Sequence, residues 1–193
     1  FIFVVIFILL IAGQVPALFD TGTALLKGKL EADVCINPFR SISYGQNFVF
    51  LHYGIGSGYE IHGYYSKWGA IDDWSAKNIF EGYVGLLKQW ASWDRIDLAT
   101  VIGCRKVMNS RYSTSLIGPG VLYTYRVNPS FRLAGHLQYI GDLSSSGLRG
   151  YNKGYTFELG GYYILKLGME LAVGIFFYSA AAAREIYTFN FYF

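Results

Sequence analysis

What this sequence has least of is a long apolar run. Residues 1–13 (FIFVVIFILLIAG) come closest, and a helix needs about 20 apolar residues to cross hydrocarbon, so no spanning helix is expected. Cysteine is nearly missing. Cys35 and Cys104 match no zinc or thiol-redox spacing, and the strand pattern below puts them on opposite faces of separate strands, which argues against a disulfide. Both read as small apolar fillers. Proline (4) and methionine (2) are scarce as well. Charge is sparse and nearly balanced, with a net of +3 and no Lys/Arg run interleaved with aromatics, which excludes a nucleic-acid partner.

What is abundant points one way. Hydrophobic residues make up 53% of the chain and aromatics 19%, with 17 Tyr, 15 Phe and 23 Gly in 193 residues. Lipid cannot hydrogen-bond backbone N–H and C=O groups, so only helices and closed barrels satisfy them internally within a membrane. An apolar, aromatic-rich chain without a spanning helix therefore implies strands with aromatic girdles and tight turns. The length suits one domain.

Period-2 alternation supports this along the whole chain. Leu30, Ala32, Val34 and Ile36 share one face, with Lys29, Glu31, Asp33 and Cys35 on the other. A Lys or Arg at midplane on a lipid face costs about 2–4 kcal/mol, so the charged face is the lumen. The same parity test on later segments sends His52, Glu60, His62, Glu81, Arg95, Asp97, Arg105, Arg126, Arg132, His136, Asp142, Glu158 and Glu170 inward. It leaves Val49, Leu51, Tyr53, Ile61, Tyr65, Val84, Leu86, Ile102, Val121, Leu137, Phe157 and Tyr163 outward. Pro119 is read as a bulge. About ten strands result, with eight and twelve as alternatives.

Connections alternate in length. Gly56-Ser57-Gly58, Asn128-Pro129-Ser130 and Lys166-Leu167-Gly168 look like three-residue hairpin loops on the periplasmic side, with Gln89 to Asp94 as the longest turn there. Longer polar stretches at Asn37–Gln46, Trp68–Lys77, Val107–Thr114 and Leu143–Lys153 are placed outside the cell. Trp68, Trp74, Trp90 and Trp93 suit the two interfacial girdles.

The final residues Tyr187, Phe189, Phe191 and Phe193 alternate with Thr188, Asn190 and Tyr192. This ending resembles the C-terminal strand of bacterial outer-membrane β-barrels, in which a terminal Phe preceded by alternating aromatics is recognised by the barrel assembly machinery. The resemblance implies that Tyr187, Phe189, Phe191 and Phe193 act as the assembly signal. At the other end, the apolar run followed by Gln14-Val15-Pro16-Ala17 reads as a signal peptide over residues 1–17 without its basic n-region, with a barrel over 18–193. The fold expected is all-β: a closed antiparallel transmembrane β-barrel in the outer membrane of a Gram-negative bacterium.

The polar network of the lumen is the candidate site: Glu31, Asp33, His52, Glu60, His62, Glu81, Asp97, Arg105, Arg126, Arg132, His136, Glu158 and Glu170. Both signs are present in a barrel narrow enough for side chains to fill, which favours plugging structure over a wide pore. Arg126 and Arg132 should face each other across their turn. A turn centred on Ser57 opposes His52 and His62 with Cβ atoms about 5 Å apart and Glu60 nearby. A metal bridging all three is the sharper alternative, but two His and one carboxylate make a weak pattern. They are read as lumen polar groups, and no metal or cofactor is expected.

Enzymatic barrels are the competing class. Outer-membrane proteases use paired Asp–Asp and Asp–His, of which only Asp72-Asp73 is found; the His-x-Ser of lipid A deacylases is missing, since Leu137 and Gln138 follow His136. Gly-x-Ser-x-Gly is also missing. The function expected is a non-catalytic barrel, either a narrow channel for small polar solutes or a structural and surface-interaction protein. Its partners would be outer-membrane lipids and the barrel assembly machinery. An enzyme acting on lipid A or peptides is the alternative.

Overall fold

The computed structural model describes residues 21–36, 47–68, 79–108, 113–142, 154–165, 169–178 and 184–192. The expected leader over residues 1–17, the Lys166–Gly168 turn, Asp72, Asp73, Trp74 and Phe193 lie outside them, as do the greater parts of the long loops. The described chain is all-β and antiparallel. Its strands are β1 (Leu30–Ile36), β2 (Asn47–Gly56), β3 (Tyr59–Trp68), β4 (Ile79–Ser92), β5 (Ile96–Met108), β6 (Ser113–Asn128), β7 (Phe131–Asp142), β8 (Gly154–Ile164), β9 (Met169–Tyr178) and β10 (Arg184–Tyr192).

Each strand pairs with its sequence neighbour, and β10 returns to β1 through the register Asp33–Tyr192, Val34–Phe191, Cys35–Asn190 and Ile36–Phe189. The strand order is that of a closed barrel. Among the described residues each strand thereby has a neighbour on both sides, an arrangement that leaves no sheet edge to template pairing with another chain. No described helix is long and apolar enough to cross a membrane.

Alternation of side chains decides which surface is which. Val49, Leu51, Tyr53, Ile61, Tyr65, Val84, Leu86, Ile102, Val121, Leu137 and Tyr163 are exposed on the outer surface, Leu51 at 55% and Val84 at 57%. The opposite parity is buried and carries most of the ionisable groups, including Glu60, His62, Glu81, Asp97, His136 and Glu158. A smaller apolar cluster of Leu87, Ala99, Val101 and Leu122 also faces inward from β4, β5 and β6. Lys88 breaks the parity rule by facing out. It lies near the turn, where its Nζ donates to Ser57 O at 2.5 Å and sits 4.1 Å from the Tyr59 ring centroid, so its stem covers apolar surface while its charge stays at the rim.

Turn chemistry corrects several boundaries. The β2–β3 turn is the two-residue Ser57-Gly58, not a three-residue loop, with φ of 55° and 75°, the left-handed geometry of hairpin turns that match strand twist. The extra residue appears as a register shift between Gly54 and Gly56. At β6–β7 the turn is Pro129-Ser130, with Ser130 N–H donating to Asn128 Oδ1 at 2.9 Å and the shift between Arg126 and Asn128. Pro119, expected at a bulge, keeps its register opposite Ile102; β5–β6 pairing runs unshifted through it. The expected turn from Gln89 to Asp94 is mostly strand, because β4 continues to Ser92 across a shift at Gln89–Ala91. Trp90 and Trp93, exposed at 68% and 57%, flank this end.

Candidate functional site

The site is the lumen at the end of the short turns, and its organising element is a segment that has no periodicity in sequence. Residues 21–27 cross this end from β6 to β2 as a strap. Gly22 N–H donates to Thr124 Oγ1 of β6 at 2.9 Å, Thr23 Oγ1 donates to Asp97 Oδ2 of β5 at 2.6 Å, and Ala24 N–H donates to Gln89 Oε1 of β4 at 2.9 Å. Leu25 N–H then donates to Glu60 Oε2 of β3 at 2.8 Å, and Gly28 N–H donates to Gly54 O of β2 at 2.8 Å. Successive inward polar groups on successive strands thus hold successive strap residues. These acceptors let an irregular segment lie half-buried against the wall, because an N–H taken from water and left without an acceptor costs about 1–3 kcal/mol.

Close approach explains why small residues stand where the strap touches the wall. A Cβ on Gly54 would lie 2.1 Å from Leu26 O, and one on Gly22 would lie 2.7 Å from Asp97 O. Ala24 packs against the cluster of Leu87, Ala99, Val101 and Leu122. The strap then turns into β1 through Lys29 N–H to Leu26 O at 3.0 Å, with Gly28 at a φ of 76° that a side chain would disfavour. Lys29, expected in the lumen, precedes β1 and is exposed.

Beneath the strap, register sets the polar contacts. His52 pairs with His62, and Tyr53 with Ile61, as the sequence implied. Glu60, 3% exposed, lies next to both histidines: its Oε1 is 2.9 Å from His52 Nδ1 and 3.5 Å from His62 Nδ1. His62 Nε2 is 3.4 Å from Tyr83 Oη. Glu31 occupies the position opposite His52 on β1. These are the residues that could hold a metal ion, since the donor atoms of His52, Glu60 and His62 all lie within 4.8 Å of one another.

Deeper in the lumen Glu81, fully buried, accepts a hydrogen bond from Tyr64 Oη at 2.5 Å and pairs with Arg105 Nε at 2.5 Å. The inward rings of Tyr64 and Tyr83 stack at 5.3 Å, Phe50 meets Tyr64 at 5.1 Å, and Tyr83 meets His62 at 5.5 Å. Tyr83 covers the paired glycines Gly85 and Gly103, where a Cβ would lie 2.2 Å and 2.4 Å from its hydroxyl. Across the barrel His136 opposes Glu158, with Nδ1 3.9 Å from Oε2 and Nε2 3.1 Å from Thr156 Oγ1.

Arg126 and Arg132 occupy opposed positions, as expected. Their like charges are met separately. Arg126 pairs with Asp97 and donates to Trp93 O at 2.8 Å, and Arg132 lies 5.0 Å from the ring centroid of Tyr162. Arg95, expected in the lumen, lies in the turn before β5 with its side chain 62% exposed and 3.9 Å from Asp94. Asp33, Asp142, Glu170, Tyr187, Phe189 and Phe191 hold strand positions, but their side chains lie outside the described set. Cys104 is a free, exposed thiol on the outer face.

Sequence parity placed the ionisable groups but passed over Phe50, Tyr64, Tyr83 and Tyr162, which the same parity sends inward. Thr23 and Gln89 carried no signal, because their role depends on the strap; Thr124 falls on the inward parity, but its bond to Gly22 has no counterpart in the sequence pattern. No protein-family model, curated protein or solved structure matches this chain.

Proposed function

We propose that this chain is a non-catalytic, closed β-barrel of the bacterial outer membrane with a filled lumen, acting as a structural or surface-interaction protein rather than as a channel for small polar solutes. The observation that carries the reading is reversed polarity. Large apolar side chains are exposed around the outside while Glu60, His62, Glu81, Asp97 and Glu158 are buried within. A barrel in water gains by the opposite arrangement, whereas one in lipid needs this one. The preference for a filled lumen rests on inward wall residues of β2–β8 that are nearly inaccessible to water, and on the strap seated across one end. Outer-membrane lipids and the barrel assembly machinery are the partners this reading requires.

Membrane fractionation with heat-modifiable gel migration tests it. The expected result is an outer-membrane protein whose unboiled form migrates differently from the boiled form. Recovery in the soluble or inner-membrane fraction overturns the reading. The alternative, an enzyme acting on lipid A or peptides, predicts an altered lipid A mass profile when the protein is expressed.

A further inference from the structure

We propose that His52 Nδ1, Glu60 Oε1 and His62 Nδ1 together bind a divalent cation of the zinc class at the strap-bearing end of the lumen. Among the described residues this is the group of three metal-ligating side chains whose donor atoms converge within 4.8 Å. Zinc binds imidazole nitrogen and carboxylate oxygen at about 2.0–2.2 Å, so neighbouring donors on a tetrahedral ion stand about 3.3–3.6 Å apart. The distances of 2.9 Å and 3.5 Å from Glu60 Oε1 to the two Nδ1 atoms lie within a few tenths of an ångström of that range, and the two imidazole donors, within 4.8 Å of each other, close the remaining gap of up to about 1.3 Å by side-chain rotation.

The scaffold is rigid where the site requires it. His52 and His62 are directly opposed on paired strands, with ring centroids 5.8 Å apart. The groups behind the donors are in place as well. Glu60 turns Oε1 to the imidazoles because Oε2 is held by the Leu25 N–H of the strap, and Tyr83 Oη stands 3.4 Å from the far nitrogen of His62. Partners of this kind orient first-sphere ligands and raise affinity.

Two imidazoles and a carboxylate select zinc, nickel, cobalt or copper over magnesium and calcium, which prefer all-oxygen cages. Three protein donors leave one tetrahedral position for water. Burial of Glu60 and His62, at 3% and 4% exposure, fits an ion that ties β2, β3 and the strap together rather than one that meets a substrate. The inference holds whether or not the barrel lies in the outer membrane.

Titration of the untagged, refolded full chain with Zn²⁺, followed by calorimetry, and with Co²⁺, followed by visible absorption, tests the site. The chain has only three histidines, so His136→Ala is a complete control. The expected result is one equivalent bound by the wild type and by His136→Ala, with tetrahedral Co²⁺ bands. The His52→Ala/His62→Ala double variant should bind more than about 100-fold more weakly, since loss of outer-sphere groups alone costs 10–100-fold. Glu60→Gln keeps the side-chain volume and serves where the double variant fails to fold; it should weaken binding and alter the Co²⁺ spectrum. Equal uptake by wild type and either variant overturns the proposal, as does absence of uptake by the folded wild type.

Discussion

Two parts of the lumen bury carboxylates by different means. In the middle, Glu81 of β4 is met at one carboxylate oxygen, Oε1, by Tyr64 on β3 and Arg105 on β5, each within two residues of its register position. At the short-turn end, Glu60 and Asp97 use neighbouring strands in part, through His52 and Arg126, with His62 two residues along Glu60's own strand, and also bind Leu25 and Thr23 of the strap. The first arrangement follows from sheet register alone. The second joins residues far apart in sequence, Thr23 and Asp97 being 74 positions apart, so the end of the barrel is organised by a contact that the sheet does not supply. The strap should therefore be removable without dismantling the wall, whereas the middle should not be.

Substitutions can break that contrast. The largest effect is expected for Glu81→Ala, which removes the carboxylate shared by Arg105 and Tyr64. Breaking a buried ion pair of this kind costs about 3–5 kcal/mol, to be read from the denaturant midpoint of the barrel in detergent. Its amide exchange should rise across the wall and the strap alike. Gly54→Val comes next: its Cβ collides with Leu26 O, and overpacking costs about 1–3 kcal/mol. Here exchange at Gly22, Ala24, Leu25 and Gly28 should accelerate far more than exchange in the strands. Uniform acceleration would mean that strap and wall unfold as one unit.

Two smaller changes sharpen the comparison. Thr23→Val deletes the hydroxyl that donates to Asp97 at 2.6 Å and should cost about 1 kcal/mol, since Asp97 keeps Arg126 and Ser92. Its exchange signature should be confined to the strap. Gly82→Ala is the control for the wall, because its Cβ would meet nothing nearer than Tyr64 O at 3.9 Å. Its stability should stay within about 0.5 kcal/mol of the wild type.

The contrast also explains what could be read from the sequence. Strand parity needs only neighbouring residues, so the inward setting of His52, Glu60, Glu81 and Glu158 and the pairing of His52 with His62 are legible in the sequence. Turn details were less so. Ser57 adopts a positive φ that favours glycine or asparagine, and a bulge at Gly54–Gly56 takes up the residue that a three-residue loop would hold. The extension of β4 to Ser92 was hidden by a similar shift at Gln89–Ala91. Residues 21–27 gave no signal because a strap has no repeating face: each residue binds a different strand, and its acceptors lie 35 to 102 positions away. The aromatic filling of the lumen was available by parity, yet tyrosine fits lipid girdles and lumens equally well, so composition alone could not place Tyr64 or Tyr83.

The central claim is that the barrel is shut by its own side chains and by the strap. Planar-bilayer recording of the refolded wild type, with heat-modifiable migration verifying the fold, tests it most directly. The expected result is a correctly folded barrel that inserts and stays electrically silent. Reproducible single-channel steps from that same folded wild type would contradict it.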